Sequence, residues 1–433
     1  MSGFNKAIRH LLILAVAMGI VVACGPAEEE AVEDDRPYAG TEVNIFGAFV
    51  DEDARRFEAN FEEFEEETGI NVVYEGSGDF ESLVNVRADG GDPPDIGMFP
   101  QPGLLRDLVE QGHIQDIDEW FDAAAFEEVY SESQLEQMDW DGQKAGFWYS
   151  NNVKSLVWYA KPAFEAEGYE IPETWDEMLA LSEQMIDDGY YPWSIGMESA
   201  GATGWVGTDW IEDIMLRTAG PEAYDDWVTG DLPFDSPEVR NAFEILGEIW
   251  LDEDMVLGGT DNILTMPFGE AHGPLIQDPP VALMMRQASF IPSFFPDGIE
   301  IGEEIDFFYL PPIDEEQGEP VLMAGDIVGV FADRPEVREV VEFMLTPEST
   351  RAQIEAGNFI GAHQTTPLDW YPTDADRRMA EILRDADVVR FDASDMMPAA
   401  VGTGSFWTGM VDYVSGEPLD DVLQAIDADW PED

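Results

Sequence analysis

The sequence predicts an α/β protein of two domains, on three observations. From Thr41 onward, segments rich in β-branched and aromatic residues alternate with segments of helical periodicity. The same alternation begins again near Ser155. The chain has 433 residues, of which 45% are hydrophobic and 12% aromatic, more than one core of ordinary size holds. Strands that alternate with helices imply parallel sheets with right-handed crossovers.

Residues 41–50 (TEVNIFGAFV) are rich in β-formers and read as a strand. Residues 54–68 follow as a helix, with Phe57, Phe61 and Phe64 at helical spacing and Gly69 as the stop. Residues 70–74 (INVVY) are a strand, 80–88 a helix, 95–99 (DIGMF) a short strand after Pro93-Pro94, and 104–111 a helix closed by Gly112. In the middle, 155–159 (SLVWY) is a strand, and 174–188 a helix whose Thr174 and Glu177 form a capping box before Gly189 ends it. Residues 205–219 are a helix with an aromatic start. Residues 236–252 open Ser-Pro-Glu, an N-cap followed by proline at the first helical position. Residues 281–285, 306–310 and 327–331 read as strands; 335–345, 374–383 and 405–414 read as helices. No repeat of 20–50 residues is present.

The first residues carry Lys6 and Arg9, and residues 11–23 (LLILAVAMGIVVA) are apolar apart from Gly19. A positive start, a short apolar run and a small residue describe a secretory signal, since a spanning helix needs about 20 apolar residues. Cys24, the only cysteine of the chain, follows directly. A cysteine there resembles a bacterial lipoprotein signal, although Val21 and Val22 are unusual beside it. The resemblance implies that Cys24 is acylated, becomes the mature N-terminus and anchors the protein outside the cytoplasm, in the regime of stable attachment by two or more chains. Residues 24–37 are acidic, without aromatics or periodicity, and read as a disordered tether. One cysteine permits no internal disulfide.

Ninety-three acids face twenty bases, a net charge of −73. Only Lys6, Lys144, Lys154 and Lys161 are lysines. This sign excludes nucleic acid as a partner. The acids are spread over nearly every segment, which describes a solvated surface suited to high salt, where screening is short-ranged. At low salt the same charge repels itself.

Three segments carry a family resemblance. Residues 155–178 (SLVWYAKPAFEAEGYEIPETWDEM), 90–118 (GGDPPDIGMFPQPGLLRDLVEQGHIQDID) and 391–416 (FDASDMMPAAVGTGSFWTGMVDYVSG) resemble extracellular solute-binding proteins of sugar ABC importers, in that family's order. The likeness spans residues 41–430. Residues 209–218 (DWIEDIMLRT), 286–296 (RQASFIPSFFP) and 403–413 are similar to the α-glucoside-binding branch. The resemblance implies a periplasmic-binding-protein-like fold of type II: two α/β lobes, a hinge and a ligand cleft. Hinge crossings are expected near 151–155, 324–326 and 365–371. Residues 1–23 are then signal peptide and 24–37 tether. Lobe one covers 38–152 plus 326–366, and lobe two 153–325 plus 367–433. The expected function is that of a monomeric substrate-binding lipoprotein. It captures an α-glucoside of the sucrose, maltose or trehalose type by hinge closure and delivers it to an ABC permease, without cofactor, metal or catalysis. Another sugar, an osmolyte such as glucosylglycerol, or a role as sensor for a receptor are the alternatives.

A sugar offers hydroxyl edges and a C–H face, so its site needs aromatic rings and paired polar groups. Trp407, preceded by Phe406, stands where the family's aromatic stacks on the sugar. Trp205 and Trp210 flank a glycine-rich helix entry; five residues apart they do not share a face, and Trp210 is the preferred contact. Asp209 beside them could accept hydroxyls or serve the helix dipole. Arg286 and Gln287 follow an apolar strand, and Arg286 reads as a bidentate clamp or a lobe salt bridge. Asp326 follows Gly325, which lets backbone approach closely. Asp79 and Gln101 lie on loops after strands, where α/β sheets bind ligands. Lys154 lies at a crossing and either meets ligand or offsets acids. His363 reads as structural.

Enzyme signatures are missing. There is no G-x-S-x-G and no H-E-x-x-H, and His113, His272 and His363 lack metal spacing. Residues 139–142 (DWDG) resemble a calcium loop weakly, but Ser150 occupies its twelfth position, so a turn is expected. So many carboxylates make any glycosidase acid pair uninformative.

Overall fold

The computed structural model describes residues 36–431, apart from 119, 122, 131–133, 136–138, 141–142 and 387. The signal peptide, Cys24 and nearly all of the tether lie outside the described residues, as do two residues of the 139–142 turn. Its flanks, Asp139–Trp140 and Gln143–Lys144, pair as an antiparallel ribbon. No helix among the described residues is long and apolar enough to cross a membrane.

Three sheets organise the chain, and they are mixed rather than purely parallel. The first is five-stranded. Thr41–Gly47 lies between Ile70–Gly76 and Ile96–Phe99, all parallel, and Ile327–Val330 adds antiparallel to Ile96–Phe99 before Gly146–Trp148 closes the edge. The antiparallel strand arrives from far along the chain, so no local crossover constrains its direction. In the second, four-stranded sheet, Leu156–Ala160 pairs antiparallel with both Ile305–Tyr309 and Ala282–Arg286, and Tyr191–Trp193 adds parallel to the latter. A third sheet joins short strands: Ile360–Gly361, Ser150–Val153, Val321–Ala324 and Val389–Phe391. Residues 365–371 contain one 3-10 turn, Leu368–Trp370, and no strand.

Two hydrophobic cores flank the third sheet. One packs Val43, Ile45, Ile96, Met98 and Val328 against helical Phe57, Val84, Leu105 and Val340 and against Phe61 between two helices. The other packs Trp158, Met284 and Phe307 against Trp210, Ile214, Phe243 and Leu246. Strand Val321–Ala324 serves both. Val321 and Leu322 belong to the second core, Met323 and Ala324 to the first. The backbone therefore passes from one core to the other within four residues.

Helix ends follow local chemistry. Thr174 Oγ1 accepts from Glu177 N at 3.2 Å, while the Glu177 carboxylate reaches back to Glu173 N at 2.9 Å, one residue further than a strict capping box. Ser236 caps Pro237–Trp250 by accepting from Val239 N. The expected 54–68 helix is two, Asp51–Ala59 and Glu62–Thr68. Asn60 breaks it: its buried amide donates to Gln353 Oε1 at 2.8 Å, and its carbonyl accepts from Ala352 N at 2.7 Å. These bonds hold Asn60 to a segment some 290 residues away, at the expense of a continuous helix. The expected 405–414 helix begins earlier, as a π-helical stretch Ala400–Phe406 that passes into Trp407–Val414.

Candidate functional site

A cavity of about 390 Å³ lies where the two cores and the third sheet meet. This is within the size range of small-ligand pockets. Ser150, Asn152 and Ala324 of the third sheet line it, with Lys154 just past the strand Ser150–Val153. Phe49, Asp53, Glu81 and Gln101 come from the side of the first core, and Trp205, Phe268, Phe290 and Trp407 from the side of the second. Helix Asp51–Ala59 and turn Ile291–Phe294 approach each other at its mouth, where Ser293 Oγ donates to Asp53 Oδ2 at 3.4 Å and where Val50 and Phe294 are exposed.

At the floor, the chain leaves Val321–Ala324 through Gly325 and Asp326. A Cβ on Gly325 would stand 2.0 Å from Ser150 O, so only glycine lets the strands meet. Ser150 Oγ donates to Asp326 Oδ2 at 2.5 Å and accepts from Asp326 N at 2.9 Å. Burial pushes the Asp326 carboxyl up to about 6, against the lowering pull of the Ser150 bond.

Lys154 follows the hinge strand, and its ammonium enters a buried ionic network. Nζ donates to Asp209 Oδ1 at 2.8 Å and to Asp392 Oδ2 at 2.9 Å, and lies 4.9 Å from the Trp205 ring centre. Asp209, Glu212 and Asp213 project from helix Trp205–Thr218. Arg286 donates to Asp209 Oδ2 at 3.1 Å and to the Asp213 carboxylate, which also pairs with Arg217 at 2.6 Å. Burial pushes Asp209 up to about 7, outweighing its two cations; for Asp392, by contrast, burial is overcome by the Lys154 charge together with hydrogen bonds from Lys154, Ser394 and Asp209, which hold the carboxyl down at about 2. Burial raises Glu212 far above the usual carboxylate range. Asp209, Glu212 and Asp392 bring carboxylate oxygens within 4.8 Å of one another, a spacing that could hold a metal. The Lys154 ammonium already bonds two of them.

Aromatic side chains supply the second part of the wall. Trp205 meets Phe268 edge-on at 5.0 Å and Phe290 at 6.1 Å, and Phe268 meets Phe294 at 5.1 Å. Trp407 is 4% exposed, and its indole Nε1 is buried with no hydrogen-bond partner among the described residues. Such a wall accepts the C–H face of a ring, while the carboxyls and Lys154 pair with polar groups.

Of the sequence-nominated residues, the structure brings Gln101, Lys154, Trp205, Gly325, Asp326 and Trp407 to this cavity. The others stand apart from its lining. Trp210, the preferred member of its pair, is fully buried among Trp193 and Trp250 at 5.3 and 6.1 Å. Phe406 points into the second core against Phe234 and Trp227 at 4.9 and 5.5 Å. Asp209 and Arg286 lie behind the wall in the ionic network, Arg286 as a salt bridge within that network. Gln287 Oε1 accepts from Ala288 N at 2.8 Å. Asp79 is exposed at the head of helix Phe80–Gly90, beside the lining residue Gly78. His363 is buried, its Nε2 within 3.2 Å of Met344 O, as a structural residue would be. Sequence reasoning missed Asp53, Glu81, Phe268, Phe290, Asp392 and Asp395. The aromatic triplet of residues 290, 294 and 295 was a usable signal; one acid among so many was not.

A model described as bacterial extracellular solute-binding protein matches residues 51–351. The osmoprotective compounds-binding protein GgtB of Synechocystis sp. is 43% identical over 419 residues, covering 96% of this chain and 98% of the relative. The alpha-glucosides-binding periplasmic protein AglE of Rhizobium meliloti is 38% identical over 399 residues, covering 90% and 87%. Among solved structures, the bacterial solute receptor AcbH superposes with a TM-score of 0.77 at 17% identity, covering 90% of this chain and 98% of AcbH.

Proposed function

The chain belongs to the bacterial extracellular solute-binding proteins, and from that membership we propose that its cavity captures an α-glucoside and delivers it to an ABC permease. One observation carries this: a single cavity is walled by both hydrophobic cores and floored by the strands that join them. A solute bridging the walls gains contacts only when they are together, so it shifts the population toward closure. The identities of 43% and 38% to relatives named for osmoprotective compounds and α-glucosides support a neutral glucosyl compound of the sucrose, maltose or trehalose type. The higher of the two favours, as a second reading, a glucosyl osmolyte such as glucosylglycerol. The protein acts as a monomer outside the cytoplasm, tethered through lipid on Cys24.

Intrinsic tryptophan fluorescence tests the reading, because Trp205 and Trp407 line the cavity. The folded protein in molar salt is titrated with sucrose, maltose, trehalose, glucose and glucosylglycerol. A saturable change with at least one glucoside is expected. Silence across the panel overturns the assignment. Mass spectrometry of membrane-purified protein should find a diacylglyceryl group on Cys24; an unmodified thiol there contradicts the tether.

A further inference from the structure

Two acceptors on the cavity lining have no hydrogen-bond partner among the described residues, and one of them, Gln101 Oε1, is fully buried. Gln101 is 5% exposed, and its Nε2 donates to Glu81 Oε1 at 3.3 Å. That bond fixes the amide's orientation. Its Oε1 is left buried with no hydrogen bond among the described residues. Asp395 is 7% exposed and lines the same cavity. Its backbone N–H is taken by Asp392 Oδ1 at 3.1 Å, but its carboxyl makes no hydrogen bond to a described residue. The elements that carry the two are locked together: Ala399 N donates to Asp107 Oδ2 at 3.3 Å, and the Arg106 guanidinium donates to Met396 O. Leaving a buried acceptor such as Gln101 Oε1 without a donor costs stability. The orphaned Gln101 Oε1, with the unbonded Asp395 carboxyl on the same cavity, is explained if a ligand supplies the donors.

We propose that Gln101 and Asp395, with Glu81 beside them, form a subsite that reads the hydroxyl edge of the solute. The proposal rests on the glucoside reading above and names the residues that select within it. The chemistry follows from the donors and acceptors present. At this subsite a carboxylate or phosphate on the solute would meet the Gln101 Oε1 and Glu81 acceptors, so sugar acids and sugar phosphates are disfavoured there. An amine would meet Lys154 and Arg56, which line the same cavity. A hydroxyl meets neither objection. The groups that face Asp395 are Asp392 on its own element, Lys154 from the hinge strand, Asp209 from helix Trp205–Thr218 and Glu81 from helix Phe80–Gly90. Burial, with Asp392 next, raises the Asp395 carboxyl well above its ordinary range, so it also presents a donor; a hydroxyl, which both donates and accepts, suits either form.

Calorimetry on the full-length protein tests this with sucrose, maltose, trehalose, glucosylglycerol and their monodeoxy forms. Asp395→Leu and Gln101→Met should each weaken the wild-type ligand about tenfold or more. Asp395→Leu should also raise the unliganded unfolding midpoint, since a desolvated carboxyl is removed, which a merely structural role would not allow. At least one monodeoxy form should lose about tenfold on the wild type and little on the variant. Wild-type affinity retained within about twofold by both variants overturns the subsite and leaves the glucoside reading standing. If Asp395→Leu does not fold, Gln101→Met and the monodeoxy series decide, and equal affinity for every monodeoxy form overturns the proposal. A wild type that binds none of the four sugars overturns the glucoside reading, and this inference with it.

Discussion

Lys154 and Asp209 meet at 2.8 Å, Nζ to Oδ1, where both side chains are nearly inaccessible to water, and the same ammonium stands over the Trp205 ring that lines the cavity. The ion pair thus connects the end of a hinge strand to the helix that carries an aromatic wall. Removing Asp209 takes one of two carboxylate partners from each of two buried cations, Lys154 and Arg286. Asp209→Leu is therefore expected to lower the unfolding midpoint sharply, measured by calorimetric scanning. Lys154→Met with Asp209→Leu together should recover part of the loss. An unchanged midpoint in the single variant contradicts the network.

Trp407 presents a ring and an unpaired indole N–H to the cavity wall. Trp407→Ala should weaken glucoside binding by at least about tenfold and abolish most of the fluorescence response. Trp210→Phe, in the core behind the wall, should change stability while leaving affinity within about twofold. Equal effects of the two on affinity would refute the assignment of Trp407 to the cavity surface.

Gly204 couples the two cavity tryptophans. Its φ is +126°, and a Cβ there would stand 2.3 Å from Trp407 O. Gly204→Ala must push helix Trp205–Thr218 away from residue 407, so Trp205 and Trp407 separate. Weakened sugar binding is expected together with a stability loss of about 1–3 kcal/mol. Unaltered binding would show that their spacing does not matter.

Asp326 sets part of the pH dependence of stability. Its folded carboxyl is raised from 3.8 to about 6 by burial, so between those values the folded state holds more protons than the unfolded one. Stability from this group is then present at low pH, falls as pH rises through that window and is level above about pH 6. Asp326→Asn should flatten this slope and stabilise the protein at pH 7 by about 2–3 kcal/mol. His363 has the opposite sign. Burial lowers it from 6.5 to about 4, so the stability of its neutral form is lost as pH falls through that interval. Urea unfolding from pH 4 to 8, wild type against Asp326→Asn, distinguishes these contributions.

A net charge of −73 repels itself wherever screening is long-ranged. The unfolding midpoint should rise by several degrees or more between about 0.1 M and 1 M potassium chloride. A midpoint that falls or stays constant would contradict adaptation to high salt.

Much of the fold was legible because short-range chemistry decides it. Thr174, Ser236, Gly189 and the phenylalanines of the first helices act within one or two turns of themselves. The third sheet was not legible, because a strand such as Ile360–Gly361 has two residues, too few for any alternation to repeat. Asn60 broke a helix through partners near residue 352, which no local window contains. At the site, Gln101, Lys154, Trp205, Gly325, Asp326 and Trp407 were readable from loop position, rarity or neighbouring glycine. Asp209 and Arg286 were readable as charges but not as members of a buried network, since burial of a charge depends on a partner far along the chain. Glu81 and Asp395 were hidden among ninety-three acids, where one more carboxylate carries no contrast.

Small-angle X-ray scattering with and without the glucoside that saturates the protein by calorimetry tests the central claim, capture by closure of two bodies over one cavity. The radius of gyration should decrease on saturation, and the decrease should vanish in Trp407→Ala at the same sugar concentration. An unchanged radius at confirmed saturation would contradict hinge closure and leave a rigid cleft as the binding mode.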